Sequence, residues 1–260
     1  LNNMKIKHLL CFIALCLFFT PGKAQQLSVM TLRNGATVYI WEDKSKPDVF
    51  GMIAFKVGSV DDPEQYTGLA HYLEHVMFKG TQTIDALDWE KEKPIYEKII
   101  AKYDERAALS DPAAREAIDK EINDLTREAA QYAAGNEFSL LVDHMGGQGL
   151  NASTGYDQTE YHNSFPPSQL EKWLEIYSER LIGPVFRGFQ TELEAVYEEY
   201  NMYNDDRGSR MREFIYEQAF GDHPYARPII GLPEHLKNPQ LSKLIDFYNT
   251  WYGPCLLYTS

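Results

Sequence analysis

His71-Tyr72-Leu73-Glu74-His75 sets the strictest condition on how this chain can fold. Two imidazoles four residues apart can close on one metal ion only if the segment is helical, because 3.6 residues per turn stack positions i and i+4 on one face. Glu74 then stands beside the pair as a candidate general base. The order H-x-x-E-H inverts the commoner H-E-x-x-H zinc motif and is itself a peptidase signature. A part-buried helix whose histidines bond to carbonyls would satisfy the same five residues. Leu69, Tyr72, Leu73, Val76 and Met77 favour the metal reading, since they supply the dry walls that hold ligands still. Thr67, an N-cap residue type, and Gly80 mark the expected start and stop of this helix.

A catalytic zinc site takes three protein ligands and keeps an open position, so a distant segment must supply a third donor. The acid-rich stretch Glu192 to Met202 is the best source. Glu192 and Glu199 are seven apart and share a helix face, whereas Glu198 points about 100° away from Glu199. Spacing alone leaves Glu198 and Glu199 both open as the ligand.

The remaining pattern predicts strands followed by helices, then strands, then helices. Leu27 to Arg33 and Ala36 to Glu42 flank Asn34-Gly35, a short hairpin signal. Val49 to Val57 reads as a third strand. Between about 89 and 134, Ile95, Ile99 and Tyr103 fall on one helical stripe. Ile118, Ile122, Leu125, Ala129 and Tyr132 fall on another, with Asp111-Pro112 as its start. These form a helical hairpin inserted beside the main core, with its charges on a solvated face. Gly146-Gly147-Gln148-Gly149 reads as a flexible run. Leu150 to Thr154 and Asp157 to Ser164 read as strands turning at Gly155-Tyr156. Ser168-x-x-Glu171 and Thr191-x-x-Glu194 read as capping boxes, the first opening a helix with a Leu170, Trp173, Leu174, Tyr177 and Leu181 core stripe. A last helix spans Leu241 to Trp251. The expected class is α+β, a largely antiparallel sheet packed by helices. His144, His162, His223 and His235 have no partner at metal spacing and are expected to be structural.

Lys5 and Lys7, the apolar stretch Leu9 to Phe19, and Gly22-Lys23-Ala24 read as a signal peptide over residues 1–24 beginning at Met4. Eleven apolar residues are too few to span a bilayer, so no stable membrane anchor is expected. The expected location is periplasmic or secreted. Cys11 and Cys16 leave with the signal, and the lone Cys255 allows no internal disulfide. Twenty-two basic residues then face 38 acidic ones, a formal charge of −16, which repels nucleic acid and anionic lipid.

Four landmarks occur together between about Leu27 and Trp251. They are His71-x-x-Glu74-His75 followed by Phe78-Lys79-Gly80-Thr81; Gly146-Gly147 leading to Asn151-Ala152-x-Thr154; Glu192 to Met202; and His223-Pro224-Tyr225. In these the chain resembles the pitrilysin/insulinase family of zinc peptidases, which includes the mitochondrial processing peptidases. The resemblance implies a metallopeptidase domain of the processing-peptidase and LuxS-like type, over residues 25–254. It implies one Zn²⁺ per chain on His71, His75 and Glu199, with Glu192 as a supporting acid and Glu74 as base. It also implies that the strand carrying Asn151 and Ala152 pairs with an extended substrate, a peptide or small unfolded protein. A second peptidase domain or partner subunit is expected to close over the cleft.

Two departures stand out. Glu199 lies 124 residues after His75, some tens more than is usual for the family, and the hairpin at about 89–134 accounts for that. Residues 255–260 depart from the pattern and read as an aberrant or truncated C-terminus. The expected function is that of an exported zinc-dependent endopeptidase, here its catalytic half. The alternative is a subunit of a two-chain peptidase, or an inactive fragment that binds zinc and peptide without cleaving alone.

Overall fold

Leu27–Thr31 (β1) and Thr37–Trp41 (β2) pair antiparallel in the computed structural model, which describes residues 27–253 and 257–259. The expected signal peptide and Cys255 lie outside the described residues. The hairpin loop is longer than Asn34-Gly35 alone. Gly35 N–H donates to Leu32 O at 3.0 Å with Gly35 at φ +89°, and Leu32 N–H donates to Ala36 O at 2.8 Å. This is a three-residue connection in which glycine takes the left-handed position. Val49–Phe55 (β3), Gln148–Thr154 (β4), Thr159–Phe165 (β5) and Leu257–Thr259 (β6) complete a sheet of order β1-β2-β6-β3-β5-β4. Every pairing is antiparallel except β2 with β6, as an α+β chain with hairpin connections should give. β4 lies at the sheet edge.

Nine α-helices lie among the described residues: α1 Leu69–Val76, α2 Trp89–Ala108, α3 Pro112–Ala129, α4 Glu137–His144, α5 Leu170–Ile182, α6 Phe189–Asp205, α7 Arg207–Phe220, α8 Pro233–Leu236 and α9 Leu241–Trp251. None is long and apolar enough to cross a membrane. Alternation along β3 and β5 turns Ile53, Phe55, Tyr161 and Phe165 to the helices and leaves Phe50 exposed on the other face. α1 packs on β4 and β5 and against α6 and α9. One hydrophobic cluster joins Leu73 and Val76 of α1, and Met77 just after it, to Trp173 and Tyr177 of α5, Val196 of α6 and Leu244 of α9.

Several local expectations are corrected. The α2–α3 hairpin forms, with Asp111 capping Ala114 N–H at 3.0 Å, but it is not a satellite. Ile95, Ile99, Tyr103, Ile118 and Ile122 belong to the common cluster. Nor is all of its charge solvated, because Glu92 is fully buried against Arg187. Within the run Gly146–Gly149, Gly147 is closely packed, whereas Gly146, Gln148 and Gly149 are exposed. A Cβ on Gly147 would collide with Val142, and Gln148 and Gly149 already belong to β4.

Neither capping box forms. Ser168 sits inside a 3₁₀ turn, Pro167–Gln169, and α5 starts at Leu170 with no side-chain cap. α6 begins two residues before Thr191, at Phe189, whose ring packs on Tyr72 and Tyr103 and whose carbonyl accepts the Tyr72 hydroxyl. On α5 the buried stripe is Trp173, Ile176, Tyr177 and Arg180, while Leu170 and Leu174 are exposed. Asn163 of β5 sets that rotation, accepting from Trp173 Nε1 at 2.8 Å and Tyr177 hydroxyl at 2.7 Å. α4 and α7 lie outside the expected elements, although Phe138, Leu141, Val142 and Met145 recur at helical spacing in and just after α4.

Candidate metal centre

α1 brings His71, Glu74 and His75 to the space beside α6. Its start differs from expectation. Gly68, at φ +87°, is the N-cap residue, and a Cβ there would stand 2.5 Å from Ile230 O. A glycine cap offers no side-chain acceptor, so the buried Asp62 carboxylate supplies it from outside the helix. Asp62 accepts Gly68 N–H at 2.7 Å and Ala70 N–H at 2.9 Å. Thr67 instead accepts Leu232 N–H at 2.9 Å and meets His235 Nδ1 at 2.8 Å. At the other end the guanidinium of Arg180 donates from Nε to Met77 O at 2.9 Å. It is buried between the rings of Phe78, Phe138 and Tyr161 at 4.3 to 4.6 Å.

The two histidine rings lie 4.9 Å apart, centroid to centroid. His71 Nε2 is 3.6 Å and His75 Nε2 is 3.4 Å from Glu199 Oε2, and one donor atom from each residue lies within 4.8 Å of the other two. Two donors each about 2.0–2.1 Å from one zinc ion at a tetrahedral angle would stand about 3.4 Å apart, so the spacing and the His₂Glu donor chemistry both fit that metal. Of the two carboxylates left open by spacing, Glu199 faces the histidines. Glu198 is exposed and lines a groove with Arg106 and Lys237 on the other side of α6.

Around these three stand further polar groups. Glu192 Oε2 is 3.5 Å from His75 Nδ1, and Lys79 Nζ pairs with Glu192 Oε1. Thr154 of β4 donates its hydroxyl to Glu74 Oε2 at 2.6 Å. Tyr203 lies one turn beyond Glu199 on α6 and helps hold that carboxyl below the usual range. Spacing had not singled out Lys79 or Tyr203, nor the contact of Thr154 with Glu74. Asn151 is exposed and Ala152 buried on β4, which leads up to Thr154. His162 and His235 lie outside this cluster, and His223 caps the turn at Tyr225.

The electrostatics separate the two histidines. Burial, aided by the field of His75, pulls the His71 pKa well below its usual value. Burial also opposes charge on His75, but hydrogen bonds to Glu192 and Glu199 and the field of Glu74 outweigh it and raise that pKa to about 9. The hydrogen bond from His75 holds Glu192 and Glu199 below the usual carboxylate range. Burial raises Glu74, against the Thr154 hydrogen bond that favours its carboxylate.

The insulinase family model (peptidase family M16) matches residues 37–93 and 125–232, a span that contains every residue of this cluster. The chain belongs to the insulinase family. An uncharacterized zinc protease of Streptomyces coelicolor is 24% identical to this insulinase-family chain over 207 residues, 79% of the chain and 34% of that protein. The crystal structure of a protease from Helicobacter pylori superposes with a TM-score of 0.67 at 22% identity, covering 90% of this chain and 45% of that one. The first half of the periplasmic protease PqqL from Escherichia coli superposes with a TM-score of 0.65 at 22% identity, covering 90% and 42%. These likenesses establish the fold, helices on a largely antiparallel sheet. The chain spans 34% to 40% of the length of such curated relatives.

Proposed function

We propose that this chain is the catalytic half of an exported zinc metalloendopeptidase. In this reading His71, His75 and Glu199 hold one zinc ion and Glu74 is the general base. The observation that carries it is the meeting of three donors from α1 and α6 at zinc-like separations, with a carboxylate on the same turn of α1. When bound, zinc supplies Lewis acidity that polarises the scissile carbonyl and acidifies water.

The chain's own residues do the rest. The Thr154 hydroxyl fixes Glu74 Oε2. This leaves Oε1 to take the proton of the attacking water and pass it to the leaving amine as the C–O bond forms and the C–N bond breaks. Glu192 orients His75 through Nδ1. Among the described residues no strand pairs with the outer side of β4, so an extended peptide or small unfolded protein can add there as a further strand along Asn151 and Ala152.

Other parts of the reading draw on the comparisons and on the sequence. The share of its relatives that the chain spans supports a second peptidase domain or partner subunit. The break in the family match between residues 93 and 125 supports reading α2 and α3 as an insertion within a domain of residues 25–254. A signal peptide at residues 1–24 would send the protein to the periplasm or outside the cell, and the periplasmic PqqL neighbour supports that.

Metal analysis and hydrolysis of a quenched, unstructured peptide by the full-length protein test the assignment. The expected content is one zinc per chain, lost in His75→Ala. Glu74→Gln should keep the zinc and lose at least about a hundredfold in rate. Wild-type hydrolysis by Glu74→Gln would remove Glu74 from its role. Zinc lost in Glu198→Ala but kept in Glu199→Ala would move the third ligand.

A further inference from the structure

An unbroken line of polar contacts joins the α2–α3 hairpin to the candidate metal centre. Glu92, in the first turn of α2, is fully buried and takes two arms of Arg187, Nε to Oε1 at 2.6 Å and Nη2 to Oε2 at 2.8 Å. The third arm, Nη1, donates to Lys79 O at 3.2 Å. A forked guanidinium held at two points has little freedom left, so it presents that third donor in a fixed place. Lys79 stands three residues past the end of α1, its N–H donating to Val76 O at 3.1 Å, and its ammonium pairs with Glu192 Oε1, leaving Oε2 at 3.5 Å from His75 Nδ1. Glu74, Glu192 and Glu199 crowd three carboxylates around His75. The Lys79 charge offsets their mutual repulsion and holds Glu192 in place.

We propose that the α2–α3 hairpin braces the metal centre, with Glu92, Arg187 and Lys79 as positioning residues that hold Glu192 against His75. The proposal rests on His71, His75 and Glu199 being the metal ligands. Its physical basis is that a ligating imidazole is oriented by the acceptor on its other nitrogen. Losing such support costs about 10- to 100-fold in metal affinity.

Removing one member of the buried pair would strand the other charge and unfold the site. Glu92→Leu is therefore combined with Arg187→Met, because a buried ion pair replaced by apolar groups of similar volume is tolerated. Lys79→Met breaks the same line at a side chain that is one-third exposed, and so tests it without disturbing the core. The measurements are Zn²⁺ affinity by competition with a chelating indicator and the visible spectrum of the Co²⁺-loaded protein, alongside the melting temperature. Both variants are expected to bind zinc about tenfold more weakly and to show an altered Co²⁺ spectrum, with melting close to wild type. Lys79→Arg, which keeps the charge, should recover most of the affinity. Wild-type affinity and spectrum in both the double variant and Lys79→Met would overturn the brace alone. A wild-type chain that takes up neither ion would overturn the metal assignment and the brace with it.

Discussion

His71 and His75 are the same residue type one turn apart, yet the fold gives them opposite tendencies. His71 is held neutral by burial, while His75, between Glu192 and Glu199, keeps a proton up to about pH 9. A metal ion taking the His75 nitrogen must displace that proton. Zinc affinity should therefore rise about tenfold per pH unit between about 6 and 8, and level off above about 9. Calorimetry near neutral pH, in buffers of different ionisation heat, should count about one proton released per zinc bound. A count of zero would contradict the assignment of charge. The pairing of His71 with His75 was legible because a helix has a period. The contact of Thr154 with Glu74 spans 80 positions and has none.

For the helices, the sequence shows type and extent better than ends. α1, α2, α3 and α9 lie where the apolar stripes put them, because burying a stripe is what stabilises a helix in a protein. Their caps were harder to read, since an orphan N–H accepts any suitably placed carboxylate. Asp62 caps α1 from six to eight residues away in sequence. Asp62→Ala leaves two buried N–H groups unpaired at the end of the helix that carries the histidines. It should cost about 1–3 kcal/mol, read as a lower melting temperature. Thr67→Val, by contrast, should leave the α1 cap intact. If Asp62→Ala melts like wild type, water or another acceptor replaces the carboxylate.

Across the whole molecule, the α2–α3 hairpin shares one core with the rest. Tyr103 packs edge-on against Phe189 of α6 at 4.8 Å and is fully buried. Tyr103→Ala should cost about 3–5 kcal/mol and lower a single melting transition. Two separated transitions, with the near-ultraviolet signal of the remaining core unchanged through the first, would show the hairpin to be an independent unit.

By itself the sequence determined what depends on neighbours along the chain. That covers the helical pairing of His71 with His75, the place of Glu74 between them, the strand periods and the α+β class. Only the tertiary structure decided what depends on how rigid elements turn against one another. It turned Glu199 rather than Glu198 toward the two histidines through the rotation of α6, and set Thr154 on Glu74 by laying α1 across β4. It also buried Glu92 under Arg187 and placed the edge of the sheet at β4. The physical reason is that a helix or strand repeats, so its faces can be counted from sequence. The angle and register at which two elements pack is set by the shape of the whole core, to which residues far apart in the chain contribute at once.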